Sequence, residues 1–313
     1  MGKFCVGRFT VEQGDKLQGL LEVVNSELNM PVTLINGTRQ GKTVVIASGV
    51  HGGEYPGIEA AIRLARQIEP AQVAGRIALL HPVNVAAFQA KAQYISPLDG
   101  KNLNRSFPGK ANGTTTERIA YTISSQLFSQ ADFFMDLHSG DIHEGLIQFV
   151  LYPAGAGEEI AAASREAAAL LGVPYVVGSY SNNGTFGCAA SMGVPGFLGE
   201  IGNLGLWSEE EVEKYIAGIK NVLKHLGVLD GEPEEVPTPE FMPRMLGLNA
   251  QQNGCWYPCV TPGQQVKQGD KLGEIRDYFG QKLGEYFASQ DGVVLYVISS
   301  LAIMEGEPIV AIG

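Results

Sequence analysis

Short apolar strands alternate with amphipathic helices along residues 43–226, and this alternation constrains the fold more than any other feature of the sequence. Residues 43–50 (TVVIASGV) predict a buried strand because they are mostly apolar and rich in valine. Residues 57–67 (GIEAAIRLARQ) have the apolar spacing of an amphipathic helix. Such alternation is typical of a largely parallel or mixed sheet that carries helices on both faces. We therefore expect an α/β fold in this part of the chain.

The same periodicities predict the other elements of this region. They predict strands at residues 76–81, 131–137, 146–152, 175–177 and 196–201. They predict helices at residues 115–129, 158–171 and 208–226. Residues 1–42 are hairpin-like, with strands at 20–24 and 31–35 followed by the turn signal Asn36-Gly37.

A change of composition at residues 230–243 divides the chain. This segment (DGEPEEVPTPEFMP) has four prolines and five acidic residues, which exclude a helix or a central strand. We expect a domain at residues 1–230, a linker at 231–243 and a second domain at 244–313.

The second predicted domain contains short β segments punctuated by glycine and no helical pattern. Its two hairpin-like units resemble the barrel-sandwich hybrid fold of biotinyl and lipoyl carrier domains. Carrier domains present a lysine at a hairpin tip, and the equivalent stretch here, residues 297–305, has none. We expect a small all-β domain that keeps the scaffold without the carrier function.

Composition excludes several functional classes. The 313 residues are 45% hydrophobic, which is enough for a substantial core, and the net charge of −11 argues against nucleic acid and anionic membranes as partners. We recognise no signal peptide and no membrane span, and the four cysteines are scattered as reduced thiols would be. The chain is therefore expected to be cytoplasmic, with its oligomeric state open and a homo-oligomer among the options.

The tetrapeptide His51-Gly52-Gly53-Glu54 follows the first predicted strand of the alternation. In open α/β sheets, sites collect where strands end at their carboxyl side. A histidine and a carboxylate three residues apart supply two of the three protein ligands of a catalytic zinc ion. The two glycines allow a tight bend between them. We predict one Zn²⁺ per chain at this position.

A third ligand is sought among the remaining histidines. His138 ends an apolar strand and is followed by Ser139-Gly140, so it lies where a site is expected; His143, on the following loop, is its rival. His138 is favoured because of its place at the strand end. Asp136 lies on the same strand face, either as a partner of a zinc histidine or as an aspartate bonded to backbone.

Glu200 and Arg105 are candidates for the remaining chemistry. Glu200 ends an apolar strand in GFLGEIGN, where it is either a general base or a carboxylate bonded to backbone amides. Arg105 lies in the polar loop DGKNLNRSFPG, where it either binds a substrate carboxylate or forms a salt bridge. The residues alone leave both pairs of alternatives open.

Taken in order, these motifs resemble the succinylglutamate desuccinylase/aspartoacylase family, a branch of the zinc carboxypeptidase-like enzymes. The motifs are His51-x-x-Glu54, Asn104-Arg105, Asp136-Leu137-His138 and Glu200 within GEIG. They span residues 40–205, and the linker and the β-rich C-terminal domain are also similar to that family.

The resemblance implies a mixed, largely parallel sheet of the zinc carboxypeptidase type and a deacylase activity on N-acyl amino acids. His51, Glu54 and His138 would bind zinc. Glu200 would be the general base, and Asn104 with Arg105 would hold the free carboxylate of a small-molecule substrate. Gln93 occupies the place where the family usually has an arginine that stabilises the oxyanion.

Two alternative functions stay open, and Gln93 motivates the first of them. Gln93 donates a hydrogen bond without a charge, and loss of such a donor costs on the order of 100-fold or more in rate. The chain could therefore be a catalytically weak, metal-containing binding protein. A metallocarboxypeptidase acting on short peptides would use the same zinc ligands, base and arginine. The C-terminal domain favours the deacylase.

Overall fold

The structure is a computed structural model that describes residues 2–313, and its centre is a mixed nine-stranded sheet. The strands before residue 230 are β1 (Phe4–Val6), β2 (Phe9–Val11), β3 (Lys16–Glu22), β4 (Asn29–Asn36), β5 (Arg39–Ser48), β6 (Ala74–Pro82), β7 (Phe133–His138), β8 (Glu144–Leu146), β9 (Phe149–Pro153), β10 (Tyr175–Ser179) and β11 (Gly196–Glu200). The helices are α1 (Tyr55–Gln67), α2 (Val85–Ala90), α3 (Thr115–Gln126), α4 (Glu158–Ala168), α5 (Thr185–Ser191) and α6 (Glu209–His225).

The later strands belong mainly to the C-terminal part. They are β12 (Glu240–Met242), β13 (Leu246–Asn249), β14 (Gly254–Pro258), β15 (Gln265–Val266), β16 (Lys271–Arg276), β17 (Lys282–Phe287), β18 (Gly292–Ile298), β19 (Ala302–Ile303) and β20 (Pro308–Ile312).

The strand order of the large sheet is β12-β10-β9-β11-β7-β5-β6-β4-β3. At its centre β5 runs parallel to β6 and β7, and β7 runs parallel to β11. Antiparallel pairs join β11 to β9 and build the edge β6-β4-β3. This arrangement confirms the prediction of a mixed, largely parallel sheet. It also brings the carboxyl ends of β5, β7 and β11 to one edge of the sheet.

Helices cover both faces of the sheet, as the alternation predicts. On one face, buried side chains of α1, α4 and α6 pack on the sheet; on the other, those of α3 and α5 do so together with the N-terminal strands. Ser208 caps α6 by accepting a hydrogen bond from the Glu211 amide, as its residue type suggests. Among residues 2–313, no helix is both long and apolar enough to cross a bilayer.

The N-terminal strands pair differently from what the turn signal indicates. β3 and β4 form the antiparallel hairpin, and Asn36-Gly37 follows β4. The next strand, β5, does not pair with β4; instead β6 lies between them in the sheet. The turn therefore redirects the chain without closing a hairpin.

The C-terminal part forms a four-stranded sheet and supplies four strands of a five-stranded sheet whose fifth strand is β8; its core contains Trp256, and no helix is described within residues 244–313. Two strands connect the parts of the molecule. β12, inside the predicted linker, adds an edge strand parallel to β10, and β8 pairs with β18 of the C-terminal sheet. The C-terminal strands are thus joined by backbone hydrogen bonds to the loop that follows β7, while the domain boundaries at 230 and 243 stay a prediction.

Candidate metal centre

His51 and Glu54 lie where β5 gives way to α1. β5 ends at Ser48, and Glu54 is the residue before the first turn of α1, with its side chain buried. The glycines between them are required by space. A Cβ on Gly52 would lie 2.2 Å from the carbonyl carbon of Ala87, and one on Gly53 would lie 2.3 Å from the carboxylate of Asp141. The loop is therefore packed against its neighbours on both sides, which holds the two side chains in place.

The imidazoles of two histidines lie on either oxygen of the Glu54 carboxylate. His51 Nδ1 lies 2.7 Å from Glu54 Oε1, and His138 Nδ1 lies 2.8 Å from Glu54 Oε2. One ligand atom from each of the three residues can be chosen so that all lie within 4.8 Å of one another. His143 is exposed and lies outside this group. The structure thus brings together His51, Glu54 and His138, the three residues that the sequence singles out.

The outer nitrogen of each imidazole faces an oxygen atom. His51 Nε2 is 3.2 Å from Asn102 Oδ1, and His138 Nε2 is 3.0 Å from Asp136 Oδ2. The Asn102 contact is a hydrogen bond, whereas the Asp136 contact is a close charge contact without hydrogen-bond alignment; both favour a proton on Nε2 and leave Nδ1 for a metal. Asp136 is therefore a partner of His138, one of the two roles the sequence leaves open. Asn102 is absent from the sequence-based set, although it lies only two residues before Asn104 in the same polar loop.

The donor set fits a catalytic zinc ion. Two imidazole nitrogens and one carboxylate oxygen are a ligand set of catalytic zinc sites, which keep a further position open for water or substrate. Glu54 Oε2 is buried and has His138 Nδ1 at 2.8 Å, but it accepts no well-aligned hydrogen bond within residues 2–313. An unsatisfied buried carboxylate oxygen is costly, and a bound cation removes that cost.

The ionisation of these groups is strongly perturbed. Burial acts to raise the pKa of Glu54, but the neighbouring His138 and His51 lower it to about 2. Burial acts to lower the pKa of His138, but the charges of Asp136 and Glu54 raise it well above its usual value. The pair therefore favours a carboxylate beside an imidazolium when no metal is present, and binding of a metal would displace that proton.

Glu200 lies beside His138 because β11 and β7 are in register, with these two residues paired across the strands. Its Oε2 is buried and has no hydrogen-bond partner among the described residues. Burial, with a contribution from the charge of Glu54, raises the pKa of Glu200 well above its usual value. This oxygen is not bonded to a backbone amide, and the role of Glu200 as general base stays a prediction.

Asn104 and Arg105 lie in a short 3-10 turn, Leu103–Arg105, on the wall of the same cavity. Asn104 Oδ1 accepts a hydrogen bond of 2.9 Å from the Thr185 amide, so its side-chain NH₂ is the group left for a ligand. Arg105 is exposed and forms no ion pair with any residue in the range 2–313. The salt bridge that the sequence leaves open as an alternative for Arg105 is therefore absent among the described residues.

The cavity around these residues has a volume of about 500 Å³, within the usual range for small-molecule sites. Apolar side chains form much of its wall: Leu146, Phe149, Leu151, Phe186 and Leu198. The C-terminal part adds Met245, Asn249, Tyr296 and Pro308. Sequence reasoning did not identify these four residues, because nothing in the local pattern of the C-terminal strands indicates which of their side chains line the cavity.

Gln93 is the one sequence-predicted site residue that does not line this cavity. It lines a neighbouring cavity of about 610 Å³ between its own loop and the C-terminal sheets, together with His143 and Cys255. The adjacent Tyr94 lines both cavities. A direct contact of Gln93 with substrate stays a prediction.

The chain is similar to a defined set of known proteins. Residues 40–226 match the model of the succinylglutamate desuccinylase/aspartoacylase catalytic domain. A curated relative, the N-alpha-acetyl-L-2,4-diaminobutyric acid deacetylase of Halomonas elongata, is 30% identical over 274 residues, which cover 85% of this chain and 80% of the relative.

Solved structures show the same architecture. The product-bound ectoine utilization protein EutE (DoeB) of Ruegeria pomeroyi is 28% identical, with a TM-score of 0.88 and coverage of 98% of this chain and 97% of that one. The succinylglutamate desuccinylase/aspartoacylase of Rhodobacter sphaeroides is 28% identical, with a TM-score of 0.85 and coverage of 95% and 94%. These matches confirm the resemblance that the ordered motifs predict.

Proposed function

We propose, from the premise that this chain belongs to the succinylglutamate desuccinylase/aspartoacylase family, that it is a zinc-dependent hydrolase of N-acyl amino acids. The products are a carboxylic acid and a free amino acid. The observation that carries this proposal is the Glu54 carboxylate between two imidazole Nδ1 atoms, at 2.7 and 2.8 Å, on the wall of a cavity that also contains Glu200 and Arg105.

His51, Glu54 and His138 hold the metal in this proposal. When bound, zinc supplies a Lewis acid, which lowers the pKa of a water molecule and polarises the acyl carbonyl. Asn102 and Asp136 orient the two histidines from behind.

The remaining residues bind the substrate and move the proton. The guanidinium of Arg105 and the side-chain NH₂ of Asn104 bind the α-carboxylate, which would orient the substrate in the cavity that His51, Glu54 and His138 also line. Glu200 accepts a proton from the attacking water at its unsatisfied Oε2 and passes it to the leaving amine. Tyr296 and the other C-terminal side chains form part of the cavity wall and thereby cover part of the substrate.

A small acyl group is proposed for the substrate. The relative from Halomonas elongata acts, by its name, on an N-acetyl compound, which supports acetyl for this chain. The apolar wall of the cavity suits a methyl group. A cytoplasmic location and a homo-oligomeric state stay predictions.

Metal analysis followed by an amine-release screen tests the proposal. The wild-type chain should contain about one zinc per chain, and the His51→Ala variant should lose both the metal and the release of amine. His143→Ala is the matched control, because this exposed histidine lies outside the cluster, and it should keep both. A metal-free preparation with full activity would refute the proposal.

The same screen separates the two alternatives that the sequence leaves open. Dipeptides tested beside N-acetyl amino acids distinguish a metallocarboxypeptidase from a deacylase. Gln93→Arg tests the weak-enzyme alternative, since a large gain in rate would indicate an impaired site. Tight ligand binding without turnover on either substrate class would favour the binding protein.

A further inference from the structure

The charged groups on the wall of the metal-centre cavity include one carboxylate that the proposed reaction does not use. Glu54 serves the metal and Glu200 the proton transfer, whereas Glu144 has neither role. Within residues 2–313, Arg105 is the only lysine or arginine that lines this cavity. The wall therefore has one fixed cation, Arg105, for the substrate carboxylate, and one carboxylate, Glu144, to which the proposed reaction gives no role.

Glu144 is held rigidly in the wall. It starts β8, where it pairs with Ile298 of the C-terminal sheet. Its Oε2 accepts a hydrogen bond of 3.2 Å from the Asp141 amide, and its own amide donates to the Asp141 carbonyl at 2.8 Å. A side chain fixed in this way cannot turn into solvent without breaking the turn that follows His138.

The carboxylate of Glu144 forms no salt bridge in the part of the chain that the structure describes, and burial, together with the charge of Glu54, raises its pKa. A poorly hydrated carboxylate is costly to keep charged without a cation close by. Glu144, Arg105 and Tyr296 line the same cavity, whose volume of about 500 Å³ is that of a small-molecule site. One small ligand can therefore be near both charges at once.

We propose that Glu144 determines the substrate side chain: it binds a positively charged amine and excludes a second carboxylate. This inference rests on the proposed deacylase function. With the α-carboxylate on Arg105, the side-chain ammonium of an N-acyl diamino acid supplies the cation that Glu144 lacks. A substrate with a second carboxylate, on the side chain or on the acyl group, places a like charge beside Glu144 and finds no second arginine or lysine in the cavity wall.

Three substrates with the same acetyl group and similar side-chain length test the inference: N-acetyl-2,4-diaminobutyrate, N-acetylnorvaline and N-acetylglutamate. Their side chains end in an ammonium, a methyl and a carboxylate. For the zinc-loaded wild type, kcat/KM should be highest for the diamino acid. In Glu144→Gln it should fall roughly 10- to 100-fold for the diamino acid, the loss expected for a charge-assisted hydrogen bond. In the same variant, kcat/KM should change little for N-acetylnorvaline and rise for N-acetylglutamate.

Controls separate charge from structure. Glu144→Asp keeps the charge and should keep the order of preference. Glu307→Gln removes a carboxylate from the neighbouring cavity, where Glu307 Oε2 accepts from the Met304 amide, and should leave the three ratios unchanged. Turnover of norvaline shows in each variant that the protein has folded.

The outcomes are distinguishable. A wild type that hydrolyses all three compounds without preference overturns the role of Glu144 and leaves the deacylase function standing. An equal loss on all three compounds in Glu144→Gln overturns it too, because it shows a purely structural residue. A zinc-loaded wild type that releases amine from none of them overturns the proposed function and the inference together.

Discussion

Replacement of Asp136 by asparagine should weaken zinc binding with almost no change in shape. Asp136 is completely buried, and its Oδ2 lies 3.0 Å from His138 Nε2. Asparagine has the same size but no charge, and its amide oxygen is a weaker acceptor than a carboxylate oxygen. The substitution therefore removes the charge that favours a proton on His138 Nε2 and leaves Nδ1 for the metal.

The distance between Asp136 and His138 sets an upper limit on the loss of zinc affinity in Asp136→Asn. Two unit charges 3.0 Å apart interact with about 5.5 kcal/mol at an effective dielectric constant of about 20. This is an upper limit, because burial of Asp136 offsets part of it and because Asp136 also stabilises the imidazolium whose proton the metal displaces. Residues that orient a zinc histidine usually contribute about 10- to 100-fold in metal affinity, or about 1.4 to 2.7 kcal/mol. We expect Asp136→Asn to fall in that range.

Competition with a chromophoric chelator at fixed pH measures the zinc affinity of the two proteins. Asp132→Asn is the matched control, since Asp132 directly precedes the opposite end of β7, where it accepts a hydrogen bond of 2.7 Å from the Thr43 amide. Its zinc affinity should equal that of the wild type. If Asp136→Asn bound zinc within twofold of the wild type, the proposed role of the Asp136 contact would be wrong.

Three further predictions concern stability and thiol reactivity. Partial burial acts to raise the pKa of Asp99, but hydrogen bonds from the amide and hydroxyl of Thr116 lower it below its ordinary value of 3.8. The stabilising effect of the Asp99 charge is therefore present above pH 3.8 and is lost as the pH falls through the lowered pKa. Asp99→Asn should cost about 1 kcal/mol in urea unfolding at pH 7 and much less at pH 2. Burial raises the pKa of the Cys188 thiol to about 11, so at pH 8 a thiol reagent should modify the exposed Cys5 quickly and Cys188 only after unfolding. Trp256→Ala should destabilise the C-terminal part by about 3–5 kcal/mol in thermal unfolding, because its indole is buried and its N–H donates to a backbone carbonyl.

Each of these three predictions would be contradicted by a specific result. An Asp99→Asn penalty that is as large at pH 2 as at pH 7 would mean that the charge is not responsible. Equal labelling rates at Cys5 and Cys188 in the native protein would contradict the burial of Cys188. An unchanged unfolding midpoint for Trp256→Ala would show that the C-terminal core does not depend on the indole.

The alternation of strands and helices was sufficient to predict the fold of the larger part of the chain, because each element has its own periodicity. The helix predicted at residues 57–67 begins at Tyr55 in the structure, since a proline in its first turn is compatible with an earlier start. The secondary structure of residues 230–243 was harder to predict. Its prolines exclude a central strand but leave room for β12, which occupies the sheet edge, where an unpaired backbone side is tolerated.

The sequence by itself determined which residues stand at strand ends: His51 and Glu54 after β5, His138 at the end of β7 and Glu200 at the end of β11. Parallel strands bring their carboxyl ends to one edge, so local patterns are enough to predict a shared site there. Only the tertiary structure decided that His143 lies outside the cluster.

The surroundings of that site depend on contacts between segments far apart in the chain. Asn102 lies behind His51, Gln93 lines the neighbouring cavity, and Tyr296 reaches the metal-centre cavity from the C-terminal sheet. The physical reason is that a strand-end side chain is placed by local backbone geometry, whereas a cavity wall is placed by packing between elements, such as the pairing of β8 with β18. Packing of this kind leaves no periodic signal in the segments that take part in it.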